Sequence, residues 1–180
     1  MTNFATKFNN KADKSEFMGV IKSLFKKDKE QDRYSFFWNT MELCDWNYQG
    51  EDEKVLEPVV RYLSKQSDEL IFMFEDVMAE LLYNLDTRAN YERCKEVSGY
   101  ESVDLFLYSR CVALLNGREY YNKIIENGFP DDLWNMEFES LLYVPEDAWS
   151  MKYNLDSTEY PHVSSMSYET GSNKEGWESK

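Results

Sequence analysis

A chain of 180 residues is long enough for one domain with a sizeable core, and its 42% hydrophobic and 16% aromatic content excludes a disordered polymer. A formal net charge of −14 opposes binding to nucleic acid or to an anionic membrane, because both are polyanions. Seven glycines and four prolines are too few for a sandwich or barrel, which turns every ~8–12 residues, so an all-α fold is expected.

The first dozen residues are polar, with Phe4 and Phe8 one helical turn apart. Ser15 opens a helix whose apolar stripe is Phe17, Val20, Ile21, Leu24 and Phe25, and Lys26, Lys27 and Lys29 suit the negative end of its dipole. Residues 1–33 hold eight Lys/Arg and five Asp/Glu, a net of +3, which leaves −17 for the remainder. This segment is predicted to be a helical arm packed on the body.

The body, 34–154, begins with a helix through Tyr34, Phe37, Trp38, Met41 and Cys44 that Asp32 caps. A polar loop runs from Asp45 to Glu53. Val55, Leu56, Val59, Val60 and Leu63 form the next stripe, with Pro58 either at the first position of a helix or kinking it. The longest helical pattern follows, from Ser67 to Leu85. Ile71, Phe74, Val77, Met78, Leu81, Leu82 and Leu85 recur at three- and four-residue steps, and Phe72 and Met73 lie off that stripe. The rest of the body is expected to pack on this helix.

Asp86 to Val97 is polar and reads as a short helix or a long loop. Val103, Phe106, Leu107, Arg110, Cys111 and Leu114 carry another helix, ending at Gly117. Tyr120, Tyr121, Ile124 and Ile125 form a shorter one stopped by Gly128, and Pro145 opens a last helix with Ala148, Trp149 and Tyr153. The total is seven to nine helices in an orthogonally packed bundle. Beyond Asn154 no apolar period survives, so 155–180 is expected to be an irregular polar tail, which Tyr160, Tyr168 or Trp177 would pin if it is ordered.

The cysteines Cys44, Cys94 and Cys111 form no CxxC and read as small buried hydrophobes in a reducing cytoplasm. No secretory leader is visible, and no apolar run reaches the ~18 residues that cross a bilayer. A cytoplasmic protein is expected.

The chemical motifs are few. The single histidine, His162, lies in the tail and reads as incidental, which leaves no scaffold for a Ser-His-Asp triad or an HExxH zinc site. No phosphate-cradling glycine loop occurs. Asp45-Trp46-Asn47-Tyr48-Gln49-Gly50 starts like an EF-hand loop but has Leu56 where the bidentate glutamate belongs. Neither a metal nor another cofactor is expected, and no catalytic residue is assigned. Arg110 falls on the apolar side of its helix and needs an anionic partner, either structural or a bound ligand. Two acidic stretches carry aromatics: Trp46, Tyr48 and Asp52 in one, Asp131, Asp132 and Trp134 in the other. Aromatic anchors among steering charges are the make-up of a protein-binding surface, provided that Trp46 and Trp134 do not turn inward.

Residues 34–153 resemble a family of bacterial proteins catalogued as domain of unknown function 4240. The similarity rests on Phe37-Trp38, on the block from Ser67 to Thr87, on Asp104-x-Phe106-x-x-x-Arg110 leading to Gly117-x-Glu119-x-Tyr121, and on Glu139 to Trp149. The resemblance implies a helical fold and no established activity.

The reading that follows is a non-enzymatic protein-binding module: an immunity or antitoxin-like protein that blocks the active site of a cognate basic toxin. Trp46, Tyr48, Asp52, Asp131, Asp132 and Trp134 are the candidate contacts. The alternative is a regulatory helical domain that binds an anionic small molecule at Arg110.

Overall fold

The stripe from Ile71 to Leu85 becomes the longest helix of the fold, and every one of its seven predicted apolar positions is buried. The computed structural model describes residues 32–178. Among them are eight α-helices, four 3-10 turns and no strand, within the predicted range. From Phe36 onward the described residues form one compact unit. The expected N-terminal arm, with Phe4, Phe8 and the stripe from Phe17 to Phe25, lies outside the described residues.

Helix α1 occupies 32–41 and buries Phe37, Trp38 and Met41, with the Phe37 ring 4.7 Å from that of Phe74. The loop after it is tighter than the polar stretch implied. Asp45 caps a 3-10 turn, Trp46–Tyr48, by accepting hydrogen bonds from the Asn47 backbone (3.1 Å) and side chain (2.8 Å). That carboxylate is therefore engaged within the loop that resembled a calcium site. Helix α2, Asp52–Leu63, starts earlier than the proline suggested and runs through Pro58. Asp52 and Glu53 favour the early start, because their charges sit against the positive end of the dipole.

Helix α3, Asp68–Leu85, packs on both α5, Val103–Leu115, and α7, Val144–Tyr153, while α2 lies along α7. The polar stretch after α3 is a helix, α4 (Arg88–Ser98), capped by Thr87 and ended by Gly99 at φ +78°. Ser102 caps α5 by accepting from Leu105 N at 3.0 Å. Ten of the thirteen residues of α5 are buried, so it is enclosed on nearly all sides. It ends at Leu115, and Gly117 serves as the N-cap of α6 (Arg118–Asn127) rather than as the end of α5. Two 3-10 turns, Asp131–Asn135 and Glu139–Tyr143, lead into α7.

The C-terminal segment is irregular, as expected, apart from one 3-10 turn and a single-turn helix α8, Lys174–Glu178. It is nevertheless tied to the body along its length. Tyr160 donates to Glu75 at 2.7 Å, and the His162 ring stacks on Phe72 (4.7 Å) while its Nε2 meets Asp76 at 3.0 Å. His162 is thus a structural anchor and not incidental. All three cysteines are free, and burial pushes the Cys44 and Cys94 thiols up to about 11 and that of Cys111 to about 12. Thiols held that high are poor nucleophiles. Among the described residues no helix is long and apolar enough to cross a membrane.

Candidate functional site

The two acid–aromatic stretches have different fates. In the first, Trp46 is 49% exposed and Tyr48 is 44% exposed. The 3-10 turn is too short to bury both faces, and Gly50, at φ +93°, lets the chain reverse into α2. Trp46 and Asp52 form one wall of a groove of about 710 Å³. Val112, Leu115 and Asn116 at the end of α5 form its base, and Met136, Glu137 and Phe138 close the far side. Met136 is 49% exposed, so this groove offers two large apolar side chains to solvent. Burial raises the Asp52 carboxyl above its ordinary value. Neither Asp52 nor Glu137 has a hydrogen bond or ion pair with a described residue.

The second stretch is corrected by the structure. Trp134 is fully buried, stacked on Phe129 at 4.0 Å and packed beside Phe106, Tyr91 and Leu105. It is core and offers nothing to a partner. The short turn Asp131–Asn135 aims Leu133 and Trp134 inward and leaves the acids outside. Asp131 faces α4, where it takes a two-pronged hydrogen bond from Arg93 (2.9 and 2.6 Å). Asp132 is exposed. Asp131 and Asp132 do not line the Trp46 groove.

Arg110 is completely buried. Its Nε donates to Phe106 O (3.4 Å), one terminal nitrogen to Leu82 O (2.9 Å), and the other to Tyr168 O (3.0 Å) and Thr170 Oγ1 (3.3 Å). Its guanidinium also lies 4.6 Å from the Phe106 ring centroid. Burial lowers its pKa to about 10, against the opposing pull of Asp86. An anion reaching Arg110 would have to displace the C-terminal segment. Asp86, also buried, was not singled out from sequence. It accepts from Gly171 N (3.1 Å), Ser172 Oγ (3.3 Å), Asn173 N (3.0 Å) and Trp177 Nε1 (2.8 Å). Together Arg110 and Asp86 read the backbone of 168–173, one donating to a carbonyl and the other accepting from amides.

Among the described residues no group of three or more His, Cys, Asp or Glu is placed to hold a metal ion.

A family model described as a protein of unknown function, DUF4240, matches residues 8–153, and the chain belongs to that family. The match extends the resemblance seen over 34–153 toward the N-terminus and ends where the C-terminal segment begins. No curated protein and no solved structure matches the chain.

Proposed function

We propose that this member of the DUF4240 family is a protein-binding module that acts without catalysis, specifically an immunity or antitoxin-like protein that neutralises a basic toxin by covering its active site. The observation that carries the reading is the Trp46 groove, where two half-exposed apolar side chains, Trp46 and Met136, stand beside the carboxylates Asp52 and Glu137, which have no partner among the described residues. Apolar anchors supply contact energy, and the surrounding negative potential speeds encounter with a positively charged partner. The net charge of −14 extends that field over the surface. Tyr48 and Asp132 belong to the exposed acidic surface; Trp134 does not.

The test is affinity capture from the source cell with wild type and a Trp46→Ala/Asp52→Lys variant. A basic protein held in equal stoichiometry by wild type alone is expected. Expressed by itself that protein should arrest growth, and co-expression of this chain should restore it. A captured protein that is harmless alone would sink the immunity reading.

A further inference from the structure

A second groove, continuous with the first through Asp52 and Glu53, runs along the outside of the α2–α7 pair. Its volume is about 450 Å³. The residues along it repeat at helical spacing: Glu53, Leu56, Glu57 and Val60 from α2, then Val144, Asp147 and Met151 from α7. Leu56, Val60 and Val144 make an apolar floor, while Met151 (51% exposed) and Tyr143 (46%) stand at its edges. Two packed helices with such rails present a channel into which a third helix packs, ridge into groove. Its lining on α2 spans Glu53 to Val60, so the channel runs about 10 Å at ~1.5 Å per residue.

The charges of this channel are one-sided. Glu57 pairs with Arg61 of its own helix. Glu53 and Asp147 have no ion pair or hydrogen bond among the described residues, and they face each other closely enough that Glu53 raises the Asp147 carboxyl further above what burial alone does. No lysine or arginine lines the channel. Carboxylates held near one another over an apolar floor repel, and a cation placed between them removes that repulsion.

We propose that the α2–α7 channel is the docking site for a basic amphipathic helix of the partner, with a lysine or arginine entering between Glu53 and Asp147 and its apolar face lying on the half-exposed Met151 and Tyr143. This rests on the protein-binding reading and names the chemistry of the partner. The stems of Lys and Arg are long enough to lie on the apolar floor while their heads reach the acids.

The test uses the full chain and a fluorescein-labelled peptide of about 15 residues, leucine and lysine in amphipathic order, long enough to fill the channel. Anisotropy is read at roughly 150 mM NaCl, where long-range attraction is screened. Glu53→Gln/Asp147→Asn should weaken binding about tenfold, the loss of roughly 1.4 kcal/mol of paired charge. Glu126→Gln/Asp104→Asn, the same change of net charge outside the channel, should weaken it by less than about twofold. A peptide with serine for leucine keeps the charge and should bind at least about tenfold more weakly, because it has no apolar face. Met151→Ala should weaken the leucine peptide and leave the serine peptide alone. Circular dichroism confirms that each variant is folded. Equal weakening by both charge pairs, equal binding of the two peptides, or no binding would overturn the proposal. If the peptide fails while capture of a toxic partner still depends on Trp46, the immunity reading stands without this channel. If the peptide behaves as expected and the captured partner is harmless, the reverse holds.

Discussion

The guanidinium of Arg110 and the backbone carbonyl of Tyr168, 58 residues apart in the chain, meet at 3.0 Å inside the protein. That contact joins the most enclosed helix, α5, to a segment with almost no regular structure of its own. A buried guanidinium is tolerated only when its donors are satisfied, and here most of the acceptors are main-chain oxygens. Arg110→Met keeps much of the volume and removes every one of these bonds, leaving the Leu82 and Tyr168 carbonyls without them. The expected cost is about 3 kcal/mol in urea unfolding. Faster proteolysis within 155–178 should accompany it.

Asp86 holds the same segment by the opposite chemistry, accepting two backbone amides, a hydroxyl and an indole N–H. Asp86→Ala should cost about 2–4 kcal/mol, because several charge-assisted bonds are lost at once. Trp177 emission should shift to the red, with a Trp177→Phe partner variant identifying the signal. Unchanged emission and unchanged proteolysis would show that the segment is held without Asp86.

Much of this fold is legible in the sequence, and the parts that are not share a cause. The α3 stripe repeats over five turns, and its pattern names its buried face residue by residue. Helix α4 buries only Tyr91 and Cys94, too few positions to establish a period, so composition alone does not decide between a short helix and a long loop. Trp134 sits in a five-residue turn, where no periodicity exists to tell inward from outward. The C-terminal segment is held by polar atoms and single aromatic rings, which leave no repeating pattern to detect. Arg110 was recognisable as a residue needing partners, but those partners are mostly carbonyl oxygens that every residue carries. The second groove combines α2 with α7, and only the side-by-side packing of these helices brings Glu53 near Asp147.

Trp134 is the aromatic centre of the cluster that includes Tyr91, Leu105 and Phe106, and its indole N–H has no acceptor among the described residues. Trp134→Ala should cost about 3–5 kcal/mol through the cavity it leaves. Trp134→Phe keeps an aromatic ring against Phe129 and removes the unsatisfied donor, so its cost should be well under half of that. Urea midpoints of the two variants provide the comparison. Similar losses for both would mean that the retained ring volume does not decide the cost at this position.

Stability should have a maximum on the acid side of neutrality. Burial, helped by neighbouring carboxylates, raises the folded-state pKa of Glu146 and Asp147. Their protonated forms are therefore favoured in the folded chain, and stability falls as pH rises through those raised values. Asp68 behaves oppositely: hydrogen bonds from Lys152 (2.5 Å) and Tyr153 (2.8 Å) lower its pKa. Its contribution is present above the ordinary carboxylate range and is lost as pH falls through its lowered value. Thermal midpoints from about pH 7 to about pH 3 should rise and then fall. Asp147→Asn should stabilise the chain near neutral pH and flatten the rising limb, whereas Asp68→Asn should leave that limb and weaken the plateau.

Gly176 gives the sharpest test of how α8 is seated. In an isolated helix, glycine to alanine stabilises by about 1 kcal/mol. Here an added Cβ would stand 2.9 Å from the Asn173 amide nitrogen and 3.0 Å from both the Asp86 carbonyl and a Thr87 methyl. The Asp86 carbonyl is backbone and cannot rotate away, and the Asn173 amide is engaged with the Tyr83 carbonyl at 3.1 Å. Overpacking of this kind costs about 1–3 kcal/mol, so it outweighs the gain in helix propensity. Gly176→Ala should lower the melting temperature and speed tryptic cleavage after Lys174. A higher melting temperature for Gly176→Ala would mean that propensity wins and that α8 does not press on the turn at Asp86.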